Sequence, residues 1–202
     1  MIIETLGDGA SILRCFADEA ALVQAVHLVA EGAPFRHMTV PGGFQMSVAM
    51  TNCGPLGWVS DATGYRYEPH DPLTGKAWPT MPPVFIETAG RAAETAGFAN
   101  FAPDACLINR YEPGAKMGLH QDKDEVDFRA PIVSVSLGLP ATFLWGGNRR
   151  KEPVQRMRLE SGDIVVWGGP ARKTYHGIAP LPKGEHPLTG AARFNLTFRK
   201  AR

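Results

Sequence analysis

From residue 104 to its end the chain reads as short strands separated by turn signals, and this run restricts the fold more than any other feature. Candidate strands cover 105–111, 116–122, 131–138, 141–145, 154–159, 163–168, 172–177 and 192–199. Gly146-Gly147-Asn148 and Ser161-Gly162-Asp163 supply turn chemistry between them. Such a succession predicts a sandwich or a closed barrel, with the jelly roll as one version. Two helices are expected before it. Over 18–30, Asp18 can cap the N-terminus while Leu22, Val26 and Val29 share a face. Over 82–96, Pro82 and Pro83 suit a first turn, Phe85, Ala89, Ala92 and Ala96 share a face, and Gly97 can stop the helix. Between the helices, residues 34–83 are rich in Gly and Pro and carry Trp58, Tyr65, Tyr67 and Trp78. That is long for a structureless connection, so the segment is functional or has short strands of its own. Met46–Thr51 alternates weakly and is one candidate strand. Nothing repeats and no linker divides the chain, so one domain over 1–202 is expected.

Composition narrows the class. The 202 residues are 44% hydrophobic and 20% charged, which excludes a disordered chain. No apolar run has the length of a membrane span, so no membrane partner is expected. The first residues lack a basic segment followed by a long apolar one, so no signal peptide is expected. Cys15, Cys53 and Cys106 are odd in number and widely spaced, which fits neither a zinc pattern nor a disulfide framework, and a reducing cytoplasm is the expected setting. The net charge of +1 hides an asymmetry, because residues 149–202 carry 12 Lys and Arg against 4 Asp and Glu. An anionic partner and a merely solvated surface explain that equally well.

Three constellations could carry chemistry. His120-Gln121-Asp122 has a distant companion in His176. Two imidazoles and a carboxylate on one side of a metal leave positions open, as suits non-haem Fe(II). On a strand, i and i+2 share a face, so His120 and Asp122 could bind one ion. The motif is common by chance, and alone it reads as a surface loop. Second, Arg193-Phe194-Asn195-Leu196-Thr197-Phe198-Arg199 alternates strictly, with polar residues on one face and apolar ones on the other. If the polar face points inward, two arginines enter a closed cavity and need anionic partners. If it points outward, they are solvated. Third, Asn109 and Tyr111 share a face and could complete a polar pocket, or be ordinary strand residues. Asp124, Glu125 and Asp127 form an acidic run that normally is a solvated loop, although Asp124 beside a metal could hold a cationic group. Arg150 follows a Gly-Gly-Asn turn and is either an exposed hairpin residue or a phosphate contact. Trp58, Tyr65 and Tyr67 are packing residues or a platform for a base. His27, His37, His70 and His186 read as surface or structural.

Taken together these residues resemble the AlkB family of DNA-repair dioxygenases. The resemblance runs through Met46–Gly54, Pro103–Tyr111, His120–Glu125, Ala130–Pro140, Val165–Gly169, Tyr175–Gly177 and Arg193–Arg199. It implies a mainly β fold, a double-stranded β-helix of jelly-roll type, with 104–202 as catalytic core, N-terminal helices beside it, and 34–83 as a nucleotide-recognition lid. It implies Fe(II), 2-oxoglutarate and O2 as cofactors. His120, Asp122 and His176 match the family's iron ligands. Arg193, Arg199, Asn109, Tyr111 and Asn195 match its 2-oxoglutarate contacts. Trp58, Tyr65 and Asp124 match residues around a flipped base, and Arg150 matches an arginine near the substrate. The implied activity is oxidative demethylation of 1-methyladenine and 3-methylcytosine in single- or double-stranded DNA, with RNA left open, by a monomer, releasing formaldehyde, succinate and CO2. Met117, Trp145 and Asn148–Lys151 sit where family members vary, which leaves base and strand preference open. The alternatives are a dioxygenase of the same fold acting on RNA, protein or a small molecule, and a metal-binding barrel without catalysis. A zinc hydrolase gives the two arginines no role.

Overall fold

A computed structural model describes residues 2–202 of the chain. Its strands are β1 (Ile2–Gly7), β2 (Ala10–Arg14), β3 (Arg36–Thr39), β4 (Gln45–Cys53), β5 (Gly57–Asp61), β6 (Gly64–Glu68) and β7 (Ala105–Tyr111). They continue as β8 (Met117–His120), β9 (Ile132–Gly138), β10 (Ala141–Trp145), β11 (Gln155–Leu159), β12 (Ile164–Trp167), β13 (His176–Ile178) and β14 (Arg193–Arg199). The helices are α1 (Glu19–Gly32) and α2 (Pro83–Thr95). Antiparallel pairing joins eight strands in the order β1-β2-β12-β9-β14-β7-β4-β3 and four more in the order β11-β10-β13-β8. The β5–β6 hairpin stands apart from both sheets.

The helices form where their patterns predict. Asp18 caps α1 by accepting from the Ala21 amide at 3.2 Å, and Leu22, Val26 and Val29 are buried. Pro83 starts α2, and Gly97, at φ +90°, ends it in a conformation that glycine adopts freely. Both helices cover the outer face of the large sheet. There Phe85, Ala89 and Ala92 meet Ile108, Val133, Val135, Leu196 and Phe198 in one apolar core. Each such buried large side chain contributes on the order of 1.5–3 kcal/mol.

A second core lies between the sheets, where Met50, Leu107, Ile132 and Trp167 face Phe143, Trp145 and Ile178. Every residue of β14 is buried. Because Phe194, Leu196 and Phe198 take the helix side, the alternation of the strand turns Arg193, Asn195, Thr197 and Arg199 inward between the sheets. That decides the question which the sequence left open.

Several elements differ from expectation. The hairpin β1–β2 was not expected; it extends the large sheet beside β12. Residues 34–83 contain four strands, of which β3 and β4 belong to the large sheet and only β5–β6 is separate. Residues 172–177 are not one strand, because a 3-10 turn at Gly169–Ala171 is followed by loop, and β13 begins at His176. Among the described residues no helix is long and apolar enough to cross a membrane.

Candidate metal centre and its cavity

His120 ends β8 and His176 begins β13, and the sheet register sets them opposite each other. Gly177 makes this pairing possible. A Cβ there would lie 2.6 Å from the Met117 carbonyl oxygen and 3.0 Å from that of Gly118, so any side chain would force the strands apart. The imidazoles stand with centroids 4.4 Å apart. His120 Nδ1 lies 2.9 Å from the Gly118 carbonyl oxygen, and His176 Nδ1 lies 3.0 Å from that of Thr174. A carbonyl only accepts, so each Nδ1 carries a proton, and in the neutral ring that leaves the lone pair on Nε2. Those lone pairs face Asp122, at 3.7 Å from His120 and 4.0 Å from His176. One donor atom from each of the three residues lies within 4.8 Å of the others, a spacing one ion can bridge.

Asp122 is not on the strand with His120. β8 stops at His120, and Asp122 lies in the following loop. What places it is Arg199, whose Nε and Nη2 donate to Oδ2 at 3.0 and 2.8 Å. Burial would raise the Asp122 carboxyl, but Arg199 and the two imidazoles outweigh it and hold it well below the usual carboxylate range. Burial, with His120 nearby, pushes His176 down to about 4. The site is therefore an ionised carboxylate beside a neutral buried imidazole, as metal binding requires.

The two arginines of β14 stand in opposite states. Burial works against the charge of Arg199, but Asp122 and Glu125 outweigh it and push its guanidinium up. Arg193 is 1% exposed, and burial pushes its guanidinium down. Its Nη2 donates to Ser136 Oγ at 3.0 Å and its Cζ lies 5.0 Å from the Tyr111 ring centre, while Nε and Nη1 are buried with no acceptor among the described residues. A buried cation with free donors implies an anionic ligand. Asn195 is spoken for by Ser134, Val135, Thr197 and Asn109. It orients Asn109, whose Oδ1 is also without a partner.

At the mouth, Trp58 of β5 donates from Nε1 to Asp124 Oδ2 at 2.8 Å and stacks on Tyr65 of β6, with ring centres 5.5 Å apart. The twelve residues that the family resemblance assigns to the site all line one cavity of about 520 Å³: the three candidate ligands, Asn109, Tyr111, Arg193, Asn195, Arg199, Trp58, Tyr65, Asp124 and Arg150. Tyr67 does not join the platform. It is buried, and its hydroxyl donates to Glu125 at 2.6 Å. Glu125 in turn is not a solvated acid, because it is buried between Tyr67, Arg172 and Arg199. Arg172 was missed in the sequence. Its partners are more than forty residues away, and only its burial in the folded chain reveals it.

These features define the class: a jelly-roll protein whose two-histidine, one-carboxylate centre shares a cavity with a buried arginine. The chain belongs to the AlkB family within the 2OG-Fe(II) oxygenase superfamily, whose family model matches residues 9–199. It is 60% identical over 98% of its length, and 93% of theirs, to the alpha-ketoglutarate-dependent dioxygenases AlkB of Salmonella typhimurium and of Escherichia coli. A solved structure of OsALKBH1 superposes on 98% of this chain and 100% of its own, with a TM-score of 0.86 at 28% identity.

Proposed function

We propose that this chain is an Fe(II)- and 2-oxoglutarate-dependent demethylase that removes N-methyl groups from 1-methyladenine and 3-methylcytosine in DNA. The observation that carries this reading is Arg193. Its two free buried donors open into the same cavity as His120, Asp122 and His176. A carboxylate of 2-oxoglutarate would supply the anionic acceptor that those donors lack. His120, Asp122 and His176 would hold the iron, which would supply the O2- and 2-oxoglutarate-dependent oxidation of the N-methyl carbon. The balance is one O2 and one 2-oxoglutarate consumed for one succinate, one CO2 and one formaldehyde, with the base restored.

The protein's own contribution is placement. Arg193, with Tyr111 beneath it, would bind the far carboxylate. Arg199 orients Asp122 from one oxygen. Within residues 34–83, of which β3 and β4 belong to the large sheet, the β5–β6 hairpin would act as the lid, since it carries Trp58 and Tyr65. Methylation at N1 of adenine or N3 of cytosine leaves a cation, which gains on the order of 1–2 kcal/mol over an aromatic face. Trp58 occupies Oδ2 of Asp124, so Oδ1 remains to face that charge. A base reaches such a cavity only when flipped or already single-stranded. Arg150 at the rim would meet a phosphate.

The test is a panel of methylated and unmethylated oligonucleotides, DNA and RNA, single- and double-stranded. The expected result is stoichiometric formaldehyde and succinate from 1-methyladenine DNA supplied with iron and 2-oxoglutarate. Iron binding without succinate formation on any member of the panel overturns the reading.

A further inference from the structure

Two buried charges have no part in the reading above, Arg172 and Glu125. Arg172 is 3% exposed and every donor nitrogen of its fork is engaged. Nη1 donates to the backbone carbonyl of Asp122 at 2.9 Å, Nη2 to Glu125 Oε2 at 3.0 Å and Nε to the Ala130 carbonyl at 3.1 Å. Its Cζ lies 5.2 Å from the ring centre of Phe128. All four contacts are made to residues 121–131, a stretch with neither strand nor helix. Such a stretch cannot place Asp122 by a sheet ladder. At its own end Arg172 is fixed to His176. The Arg172 amide donates to the Gly169 carbonyl at 3.1 Å, and the Thr174 amide donates to that of Ala171 at 2.9 Å. The Thr174 carbonyl then accepts a hydrogen bond from His176 Nδ1.

We infer that Arg172 is a positioning residue of the metal centre, a strut that holds the Asp122 loop against the His176 segment so that both ligands reach one ion. The inference rests on the assignment of His120, Asp122 and His176 as ligands. A residue present only to neutralise Glu125 needs one bond to that carboxylate. Arg172 instead places two of its three bonds on backbone carbonyls, one of them the ligand residue's own. A lysine keeps the charge next to Glu125 but, as a single nitrogen, cannot span all three acceptors. Arg172→Lys therefore separates the two roles.

The experiment titrates Co(II) into the metal-free full chain without oxygen, following heat and the visible d–d absorption, for the wild type, Arg172→Lys and Arg36→Lys. The last is a control that breaks the remote, two-bonded pair between Arg36 and Asp71. Arg172→Lys is expected to bind Co(II) about 10- to 100-fold more weakly, as loss of a residue orienting a ligand does, and to change the band shape. Arg36→Lys is expected to lower Tm and leave both unchanged. Wild-type affinity and spectrum in Arg172→Lys overturn the inference, whereas a wild type that binds no Co(II) overturns the ligand assignment instead. If Arg172→Lys does not fold, hydrogen exchange of the metal-free wild type decides. A strut built by the protein alone keeps the Val126 amide, which donates to the Ala201 carbonyl at 3.1 Å, protected without metal; rapid exchange there overturns it.

Discussion

The floor of the cavity and its mouth are built by different means. The floor stands on β7, β9 and β14, strands paired on both sides and buried on both faces. There Arg193, Asn195 and Asn109 have their positions set by register. The mouth stands on the separate β5–β6 hairpin and on loops, with Tyr65 47% exposed and Arg150 exposed. A reaction that must hold several groups in one geometry belongs on the first kind of support. Recognition of variable partners belongs on the second, where a change costs the fold little. The Asp122 loop connects the two regions. Arg199 and Arg172 grip it from below, while Trp58 and Tyr67, cross-strand partners in the hairpin, grip Asp124 and Glu125 from above.

The comparison predicts larger effects at the metal centre and the floor than at the mouth. Asp122→Ala should reduce formaldehyde release to background, since it deletes a proposed ligand and takes from Arg199 the nearer of its two carboxylates; retained activity refutes the ligand set. Arg193→Met comes next. Leaving the co-substrate carboxylate unpaired in a buried site costs about 2–5 kcal/mol. The KM for 2-oxoglutarate should therefore rise about 30-fold or more. Yet the variant removes an unpaired buried charge from the free protein, so its Tm should stay level or rise. A Tm that falls by several degrees with an unchanged KM would make Arg193 structural. Gly177→Ala touches no ligand but drives β13 from β8 by its clash with Met117 and Gly118. Metal affinity measured by calorimetry should fall about 10-fold or more, and an unaffected affinity would mean that the pairing of His120 with His176 tolerates the shift.

The same division explains what could be read from the chain. The strand run and both helices carry local signals, alternation and caps, whereas the twelve cavity residues were ambiguous one by one and stood out as a set only through the family resemblance. The direction of the polar face of β14 did not. Alternation sorts residues into two sets, and only the cover of α1 and α2 on Phe194, Leu196 and Phe198 says which set is inside. The support of Asp122 was misplaced because i and i+2 suggest a shared strand, while the chain leaves the ladder after His120. Glu125 looked solvated because an acidic run usually is. Its burial depends on Tyr67, Arg172 and Arg199, brought from 58, 47 and 74 residues away. Long-range ionic contacts leave no period in a sequence.

At the mouth, Asp124→Asn keeps an acceptor for Trp58 and removes only the charge. The KM for a cationic lesion should rise about 5- to 30-fold, as expected for losing a charge-assisted contact worth about 1–2 kcal/mol. A neutral N-alkylated base should be little affected, and kcat should hold for both. Equal losses on both substrates would show that Asp124 shapes the wall and does not read charge.

Arg150→Gln should have the smallest effect, and its form matters more than its size. If this exposed side chain meets a phosphate, its removal weakens binding of every sequence alike, by a few-fold at low salt. The slope of log affinity against log salt then becomes shallower by about 0.7–0.9, the counterion release of one contact. If Arg150 instead touches the base, the loss persists at high salt and differs between methylated adenine and methylated cytosine. Binding of metal-free protein to both oligonucleotides across a salt series separates the two. A salt-independent, lesion-specific loss would move Arg150 from the adjustable rim to the reading of the base, and would extend the geometrically fixed part of the site to the outer edge of the cavity.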